Sequence, residues 1–324
     1  MNILVFGKDG QLGKAFSALL GQPSVFANAQ ITYLGRVECD LSNEANVHAH
    51  LNAAKPNLII NASAYTAVDK AETEVDLAFA VNAKAPEIMA RYAAENDATF
   101  LHYSTDYVFD GSKDGFYTED DPRNPLGVYG KSKAAGEIAV EEAFASSASG
   151  QFAIFRTSWV YGAGGNFIRT MLRLAKERDE LKVVHDQHGV PTSADWLAKV
   201  SLALVLDSQL QIKPFTSGIY HAIPAGETTW HGLACAAVQA ALDAGIALKA
   251  KPESIKPILA AEYPLPAPRP TNSRMANTKL RSALTDGLSD TSNSYNQTQN
   301  EPNFPAWEDM VQQYVSQLAK EGLI

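Results

Sequence analysis

Tyr129 and Lys133 form a Y-x-x-x-K pair. A spacing of four places two side chains on the same face of a helix, so the pair can act as a unit. A tyrosine has an ordinary pKa of about 10, and a nearby ammonium group favours its phenolate form. We therefore expect Lys133 to lower the pKa of Tyr129 toward neutral pH. Such a tyrosine could serve as a general acid at a carbonyl oxygen.

Thr105 precedes this pair by about two dozen residues and lies in Ser104-Thr105-Asp106, at the carboxyl end of a predicted strand. Open α/β sheets bind their ligands at that end of the strands. We expect the Thr105 hydroxyl to hold a substrate carbonyl and to donate to the developing alkoxide while Tyr129 delivers the proton. A Y-x-x-x-K pair alone is common on solvated helices, and Thr105 makes the catalytic interpretation the more specific one.

Gly7, Gly10 and Gly13 give the pattern G-x-x-G-x-x-G directly after an apolar segment and before a helical one. This is the context in which glycines let backbone N–H groups approach a pyrophosphate at the positive end of a helix. The alternative is a glycine-rich turn without a ligand. The clean flanking elements favour a dinucleotide site.

The second predicted strand leads into Gly35-Arg36 instead of the acidic residue that grips a ribose 2′-hydroxyl. A guanidinium can bind a phosphate bidentately, so Arg36 favours NADPH, with NADH possible. An ordinary surface arginine is the alternative. The segment Asn61-Ala62-Ser63-Ala64 after the third strand is expected to lie beneath the cofactor, unless it is a plain buried turn.

Alternating short apolar runs and helical stretches over residues 1–160 predict βαβ units around a doubly wound parallel sheet. We predict a Rossmann-type dinucleotide-binding domain there, and a smaller α/β substrate-binding lobe at 161–324, interleaved with the first near the site. The polar stretch 286–303 is predicted to be a mobile loop. The predicted elements are strands at Ile3–Phe6, Ile31–Leu34, Asn57–Ile60, Phe100–Phe109 and Phe152–Ser158, and helices at Gln11–Leu20, after an N-cap at Ser42, at Asp69–Asn96, Tyr129–Phe144 and Ala306–Lys320.

Composition excludes several classes of protein. The 324-residue chain has a formal net charge of −9, which argues against a nucleic-acid partner. The cysteines Cys39 and Cys235 form no CxxC pair and indicate a reducing compartment. No apolar run approaches the roughly 20 residues of a membrane span. We expect a cytoplasmic protein with a small-molecule substrate and no membrane partner.

Seven groups of motifs spread over nearly the whole chain carry a family resemblance. They are Asn2–Gly7 with Gly10–Gly13, Thr66–Glu72, Tyr103–Phe109, Val128–Lys131, Phe155–Tyr161, Asp186-Gln187 with Gly189 and Pro191-Thr192, and Arg269-Pro270 with Asn272-Ser273. In these segments the chain resembles the dTDP-4-dehydrorhamnose reductases, which belong to the extended short-chain dehydrogenases and reductases. The resemblance implies reduction of the C4 keto group of dTDP-4-dehydro-L-rhamnose to dTDP-L-rhamnose by an NAD(P)H-dependent oxidoreductase.

The resemblance also implies roles for individual residues. Thr105, Asp106 and Trp159 would face the sugar nucleotide, although Trp159 could instead be a core aromatic. The residues that would line the cofactor are Gly10, Gln11, Leu12, Asp40, Leu41, Ala64, Tyr65 and Thr66, together with Tyr129 and Lys133.

The family is associated with Mg²⁺ at a dimer contact held by acidic side chains. Asp195 and Glu308 match two of these positions, but Ala15 occupies the third. We therefore predict no metal site, and a homodimer remains open. Two other functions also remain open: a non-catalytic NADP-binding regulatory subunit, like that of methionine adenosyltransferase, and a sugar-nucleotide epimerase or dehydratase on the same scaffold.

Overall fold

The computed structural model describes residues 1–21, 26, 29–286 and 304–324. Within them the chain is a mixed α/β fold. The strands are β1 (Asn2–Phe6), β2 (Gln30–Leu34), β3 (Leu58–Asn61), β4 (Thr99–Thr105), β5 (Gln151–Thr157), β6 (Val160–Tyr161), β7 (Leu181–Val184), β8 (His188–Gly189), β9 (Thr192–Ser193), β10 (Gly218–His221), β11 (Thr228–Thr229) and β12 (Ile255–Ile258). The helices are α1 (Gln11–Leu20), α2 (Glu44–Ala54), α3 (Val68–Ala71), α4 (Val75–Phe79), α5 (Ala85–Glu95), α6 (Val128–Phe144), α7 (Phe167–Glu177), α8 (Ala194–Val205), α9 (Trp230–Asp243), α10 (Thr278–Asp286) and α11 (Trp307–Lys320).

Six parallel strands form the central sheet in the order β10-β5-β4-β3-β1-β2. The chain turns to opposite sides of β1 when it forms β2 and β3, so the switch point of a doubly wound sheet lies there. The predicted Rossmann-type fold is therefore confirmed. The predicted strands of the first 160 residues all occur, with ends shifted by a few residues at most.

Both faces of the sheet are covered, because alternate strand residues point to opposite sides. On β1, Ile3 and Val5 pack with α1 and α8, whereas Leu4 and Phe6 pack with α2, α5 and α6. A third apolar cluster lies among α7, α9 and α11 beside the two-stranded β7–β12 sheet. Strand β10 and helix α8 come from beyond residue 160 and yet complete the central layers. The domain boundary at residue 160 stays a prediction.

The long helical stretch predicted over Asp69–Asn96 occurs, but it is interrupted after α3 and widens into a π-helical turn at Ala80–Lys84 between α4 and α5. Pro86 has no N–H to offer the carbonyl four residues earlier, so the backbone at Asn82 is free to widen. The side-chain amide of Asn82 accepts a hydrogen bond from the backbone N–H of Tyr65 at 2.8 Å and donates one to the C=O of Tyr65 at 3.0 Å. The irregular turn thus fastens the segment that follows β3.

The predicted N-cap at Ser42 is also wrong, because Asn43 caps α2 by accepting from the Asn46 N–H. Ser42 instead donates to the Asp40 carboxylate at 2.8 Å. The predicted mobile loop at 286–303 lies outside the described residues, apart from the backbone of the last residue of α10. None of the described helices is long and apolar enough to cross a membrane.

Candidate active site

A cavity of about 810 Å³ opens at the carboxyl ends of the central strands. All the predicted site residues line it except Gly13. The lining members of that set are Gly7, Gly10, Gln11, Leu12, Arg36, Asp40, Leu41, Ala62, Ala64, Tyr65, Thr66, Thr105, Asp106, Tyr129, Lys133 and Trp159. The sequence-based predictions therefore converge on one site.

The glycine loop joins β1 to α1 through backbone that only glycine fits. Gly7 has a φ of +86°, and a Cβ there would lie 2.7 Å from the Ser63 nitrogen. A Cβ on Gly13 would lie 2.0 Å from the Gly7 oxygen, so Gly13 sits behind the loop and not on the cavity wall. This geometry suits the close packing of helix on strand, and the direct contact of Gly13 with a cofactor stays a prediction. Helix α1 begins at Gln11 without a side-chain cap, which leaves its first N–H groups facing the cavity.

The end of the cavity next to β2 is lined by a positively charged side chain, that of Arg36. Arg36 is exposed on the wall after β2, and we find no ion-pair partner for it among the described residues. The nearby cation Lys8 is paired with Glu38. Hydrogen bonds from Ser42 lower the pKa of Asp40, with a smaller contribution from Arg36. This end of the cavity suits an additional phosphate.

Thr105, Tyr129 and Lys133 meet on one wall of the cavity. Thr105 ends β4, while Tyr129 and Lys133 lie on the first turns of α6 and share a face, as their spacing predicted. Gly130 permits this placement, because a Cβ there would lie 2.2 Å from the Tyr107 oxygen. The Thr105 hydroxyl donates to Asp106 at 2.8 Å and accepts from the Tyr107 N–H at 3.2 Å.

The acid–base character of the pair differs from the sequence-based expectation. Burial raises the pKa of Tyr129 to about 12, although a hydrogen bond from Thr105 opposes the rise. Burial lowers the pKa of Lys133 to about 8, against the opposing charge of Glu137. The prediction that the pKa of Tyr129 is lowered is therefore wrong in this arrangement, because burial is the largest cause and Lys133 is not among the groups that shift this pKa. Tyr129 is a phenol at neutral pH, with its proton available.

Asp106 has both carboxylate oxygens engaged. Thr105 donates to one oxygen, and Ser273, from the segment before α10, donates to the other at 2.5 Å. Burial raises the pKa of Asp106 to about 6, and the two hydroxyls limit the rise. Sequence reasoning missed Ser273 as a site residue, although it lies within the Asn272-Ser273 motif.

The aromatic wall is larger than predicted. Trp159 stacks on Trp230 at 3.9 Å between ring centroids, and both line the cavity. The backbone of Trp159 has a φ of +49°, a costly conformation for a bulky residue and one that often marks a functional position. Tyr107 packs edge-on against Tyr129 with centroids 5.4 Å apart. Neither Trp230 nor Tyr107 carries a spacing signal that could have indicated it.

Comparison with known proteins agrees with this geometry. A sequence model of the RmlD substrate binding domain family matches residues 1–301. The dTDP-4-dehydrorhamnose reductase of Escherichia coli strain K12 is 44% identical over 285 residues, which are 87% of this chain and 91% of that protein. The chain belongs to this family. The resemblance inferred from the motifs is therefore confirmed.

Solved structures of this family share the fold. A dTDP-4-dehydrorhamnose reductase from Clostridium acetobutylicum superposes with a TM-score of 0.81 at 33% identity, covering 98% of this chain and 99% of that one. The reductase of Bacillus anthracis, solved in complex with NADP, gives a TM-score of 0.78 at 31% identity, covering 96% and 97%. The family match extends through both halves of the chain.

The position where this chain departs from the family's metal site is well defined. Ala15 is buried on α1, while Asp195 and Glu308 begin α8 and α11. Across the part of the chain that the structure describes, no group of three or more His, Cys, Asp or Glu side chains is placed to hold a metal ion.

Proposed function

We propose that this protein reduces the C4 keto group of dTDP-4-dehydro-L-rhamnose to give dTDP-L-rhamnose, with NADPH as the preferred reductant. The observation that supports this proposal most directly is that Thr105, Tyr129 and Lys133 line the same cavity as the glycine loop. The cofactor fits the residues present, because Gly7 and the free start of α1 make a cradle for a pyrophosphate and Arg36 suits a 2′-phosphate. When bound, the nicotinamide supplies a hydride.

Each catalytic residue has a distinct task in this proposal. Tyr129 delivers a proton to the C4 oxygen, and its raised pKa of about 12 keeps that proton in place until negative charge develops on the oxygen. Thr105 lies beside it, and its hydroxyl, which donates to Asp106 in this structure, turns to donate to the same oxygen when the ketone is bound. Trp159 and Trp230 offer an aromatic face to the nucleotide sugar. Lys133, the partner of Tyr129 on α6, binds the cofactor and orients it.

Two other functions share the fold. A non-catalytic NADP-binding regulatory subunit can keep the tyrosine–lysine pair, so the motifs of the substrate lobe, which include Trp159 and Arg269-Pro270, are what favour the enzyme. An epimerase or dehydratase would act on a sugar nucleotide without net consumption of NADPH. Asp106 is not the glutamate more usual beside the strand-end hydroxyl of dehydratases, and both of its oxygens accept hydrogen bonds from hydroxyl groups.

The test is to follow NADPH absorbance with dTDP-4-dehydro-L-rhamnose supplied to the full chain. We expect turnover that depends on both substrates, and at least a roughly 10²-fold loss in Tyr129→Phe, since the ring remains but the proton does not. Dinucleotide binding, measured by fluorescence titration, should survive that change. Tyr92→Phe, on the buried side of α5 away from the cavity, is the matched control. Binding of NADPH without turnover in the parent protein would instead support the regulatory subunit.

We also propose that the protein works in the cytoplasm, since Cys39 and Cys235 are both free thiols.

A further inference from the structure

The Lys133 side chain ends between two groups of β4. Its Nζ donates to the Tyr103 carbonyl oxygen at 2.5 Å and lies 3.3 Å from Nε2 of His102. Lys133 is 1% exposed and His102 is 0% exposed, so both groups are buried where these two contacts form. The protonation state of one ring nitrogen therefore decides whether the Lys133 contact attracts or repels.

Asn61 fixes which nitrogen of His102 carries the proton. The Asn61 Oδ1 accepts from the backbone N–H of Ser63 at 3.3 Å and from the Ser63 hydroxyl at 2.5 Å. A backbone N–H can only donate, so the Asn61 amide cannot be turned around without placing two donors face to face. Its Nδ2 consequently points at Nδ1 of His102, 3.1 Å away. Nδ1 must accept, and the imidazole proton lies on Nε2.

The Nε2–H of His102 then faces Lys133. A neutral lysine amine can accept this hydrogen bond and still donate to Tyr103, whereas an ammonium group has only donors to offer. We propose that His102, set as its Nε2–H tautomer by Asn61, is a positioning residue that holds Lys133 as a neutral amine through part of the working pH range. The Asn61–His102–Lys133 chain links the proton on Lys133 to the loop after β3 that lines the cavity.

The surrounding charges agree with this arrangement. Burial and the neighbouring Lys133 hold the pKa of His102 well below its usual range, so the ring stays neutral. Burial likewise lowers the pKa of Lys133 to about 8. From α6, Glu137 opposes this, but Arg156 and Arg123 both bind its carboxylate. Tyr129 lies one helical turn before Lys133 on α6, and burial raises its pKa to about 12, so its phenol is uncharged at neutral pH.

The state of Lys133 matters to catalysis because an ammonium and an amine orient a neighbouring hydroxyl differently. The amine can accept a hydrogen bond, whereas the ammonium can only donate. The kinetic consequence rests on the proposed function, since it needs turnover to be seen. The tautomer of His102 does not rest on the proposed function, because it is measured without cofactor or substrate.

The first measurement is the long-range ¹⁵N–¹H correlation spectrum of the imidazole groups in ¹⁵N-histidine-labelled protein. His102 is assigned by the signal that disappears in His102→Gln. We expect the pattern of a neutral ring protonated at Nε2, unchanged between pH 5 and pH 9. A ring protonated at Nδ1, or at both nitrogens, would overturn the proposal whatever the enzyme's activity.

The second measurement is the pH dependence of kcat in variants that present an acceptor to Lys133. In Asn61→Asp the carboxylate accepts from Nδ1, so the proton leaves Nε2. In His102→Gln the amide oxygen can face Lys133. We expect both to move the lysine ionisation upward by about one pKa unit or more. Asn61→Asp should also switch the His102 signal to the Nδ1–H pattern.

Leu101→Val is the matched control, since Leu101 is buried next to His102 on β4 but packs on the other face of the sheet. It should reduce stability and leave the pH profile in place. A lower kcat in Asn61→Asp and His102→Gln with an unmoved profile would show a merely structural role and overturn the proposal. If the parent protein has no turnover, the proposed function fails while the imidazole spectrum still decides the tautomer.

Discussion

Arg36 lines the cavity wall, and we propose that the choice between NADPH and NADH depends on it. Its guanidinium has no ion-pair partner within the described part of the chain and can bind a 2′-phosphate in two places at once. We expect Arg36→Ala to raise the KM for NADPH about tenfold or more and to leave that for NADH nearly unchanged. Lys8→Ala is the control, because Lys8 pairs with Glu38 and does not line the cavity. Equal losses for both dinucleotides would contradict the assignment.

Asp106 makes a pH-dependent contribution to stability. Burial raises its folded pKa from 3.8 to about 6, so the folded protein prefers the protonated carboxyl group. The stabilisation is complete below the unfolded pKa and is lost as pH rises through about 6, a change of about 3 kcal/mol at most. Asp106→Asn removes this titration. Urea unfolding at pH 4.5 and pH 7.5 should therefore show that the free energy of unfolding of the variant, relative to that of the parent protein, is greater at pH 7.5. The same difference in free energy at both pH values would refute the argument.

The types and order of the catalytic residues could be predicted from the sequence, because their spacing survives folding. Tyr129 and Lys133 share a helix face, and Thr105 ends the strand beside them. Their pKa values could not be predicted, since these depend on burial by segments distant in the sequence. Trp230 and Ser273 reach the site from such segments, and the motif that contains Ser273 did not indicate its contact with Asp106.

The turn between β1 and α1 separates two uses of glycine. A Cβ on Gly13 would meet the Gly7 oxygen at 2.0 Å, whereas one on Gly10 would lie 3.4 Å from the same atom. We expect Gly13→Ala to lower the free energy of unfolding by about 2 kcal/mol or more through overpacking. Gly10→Ala should fold normally and bind NADPH more weakly, because its methyl group narrows the cavity wall. Denaturant titrations measure the stability of both variants, and equal free energies of unfolding would contradict the distinction between the two glycines.

The strands and most helices were predictable where the apolar period is regular, as in Ile3–Phe6 and Gln11–Leu20. The π-helical turn within Asp69–Asn96 was not, because it depends on Pro86 and on the tertiary hydrogen bonds of Asn82. The contribution of β10 to the central sheet was equally hidden. Its parallel pairing with β5 joins segments about 65 residues apart, and no local pattern encodes it.

At the scale of the whole molecule, the two halves of the chain are held together beside the site. Arg269 forms a two-point ion pair with Asp69, at 2.7 and 3.0 Å, between segments that both carry family motifs. A homodimer stays a prediction. So does the division into a dinucleotide-binding part at 1–160 and a substrate lobe at 161–324.

Metal independence is expected of the whole enzyme. Ala15 is buried where the family resemblance would place a third carboxylate, and a hard cation needs several oxygen ligands. In the proposed function, Thr105 and Tyr129 stabilise the developing alkoxide without a metal ion. Turnover with saturating NADPH and sugar nucleotide should persist in excess EDTA. A loss of rate that added Mg²⁺ restores would mean that other carboxylates assemble a site.

The central claim is that this cavity reduces the C4 ketone of a dTDP-linked sugar. The most direct measurement uses NADPH carrying deuterium at the transferable position of the nicotinamide, with dTDP-4-dehydro-L-rhamnose as substrate. We predict dTDP-L-rhamnose with one deuterium at C4, formed one for one with NADP⁺, and almost none with Tyr129→Phe. Unlabelled product, label at another carbon, or conversion of the sugar without consumption of NADPH would contradict the account.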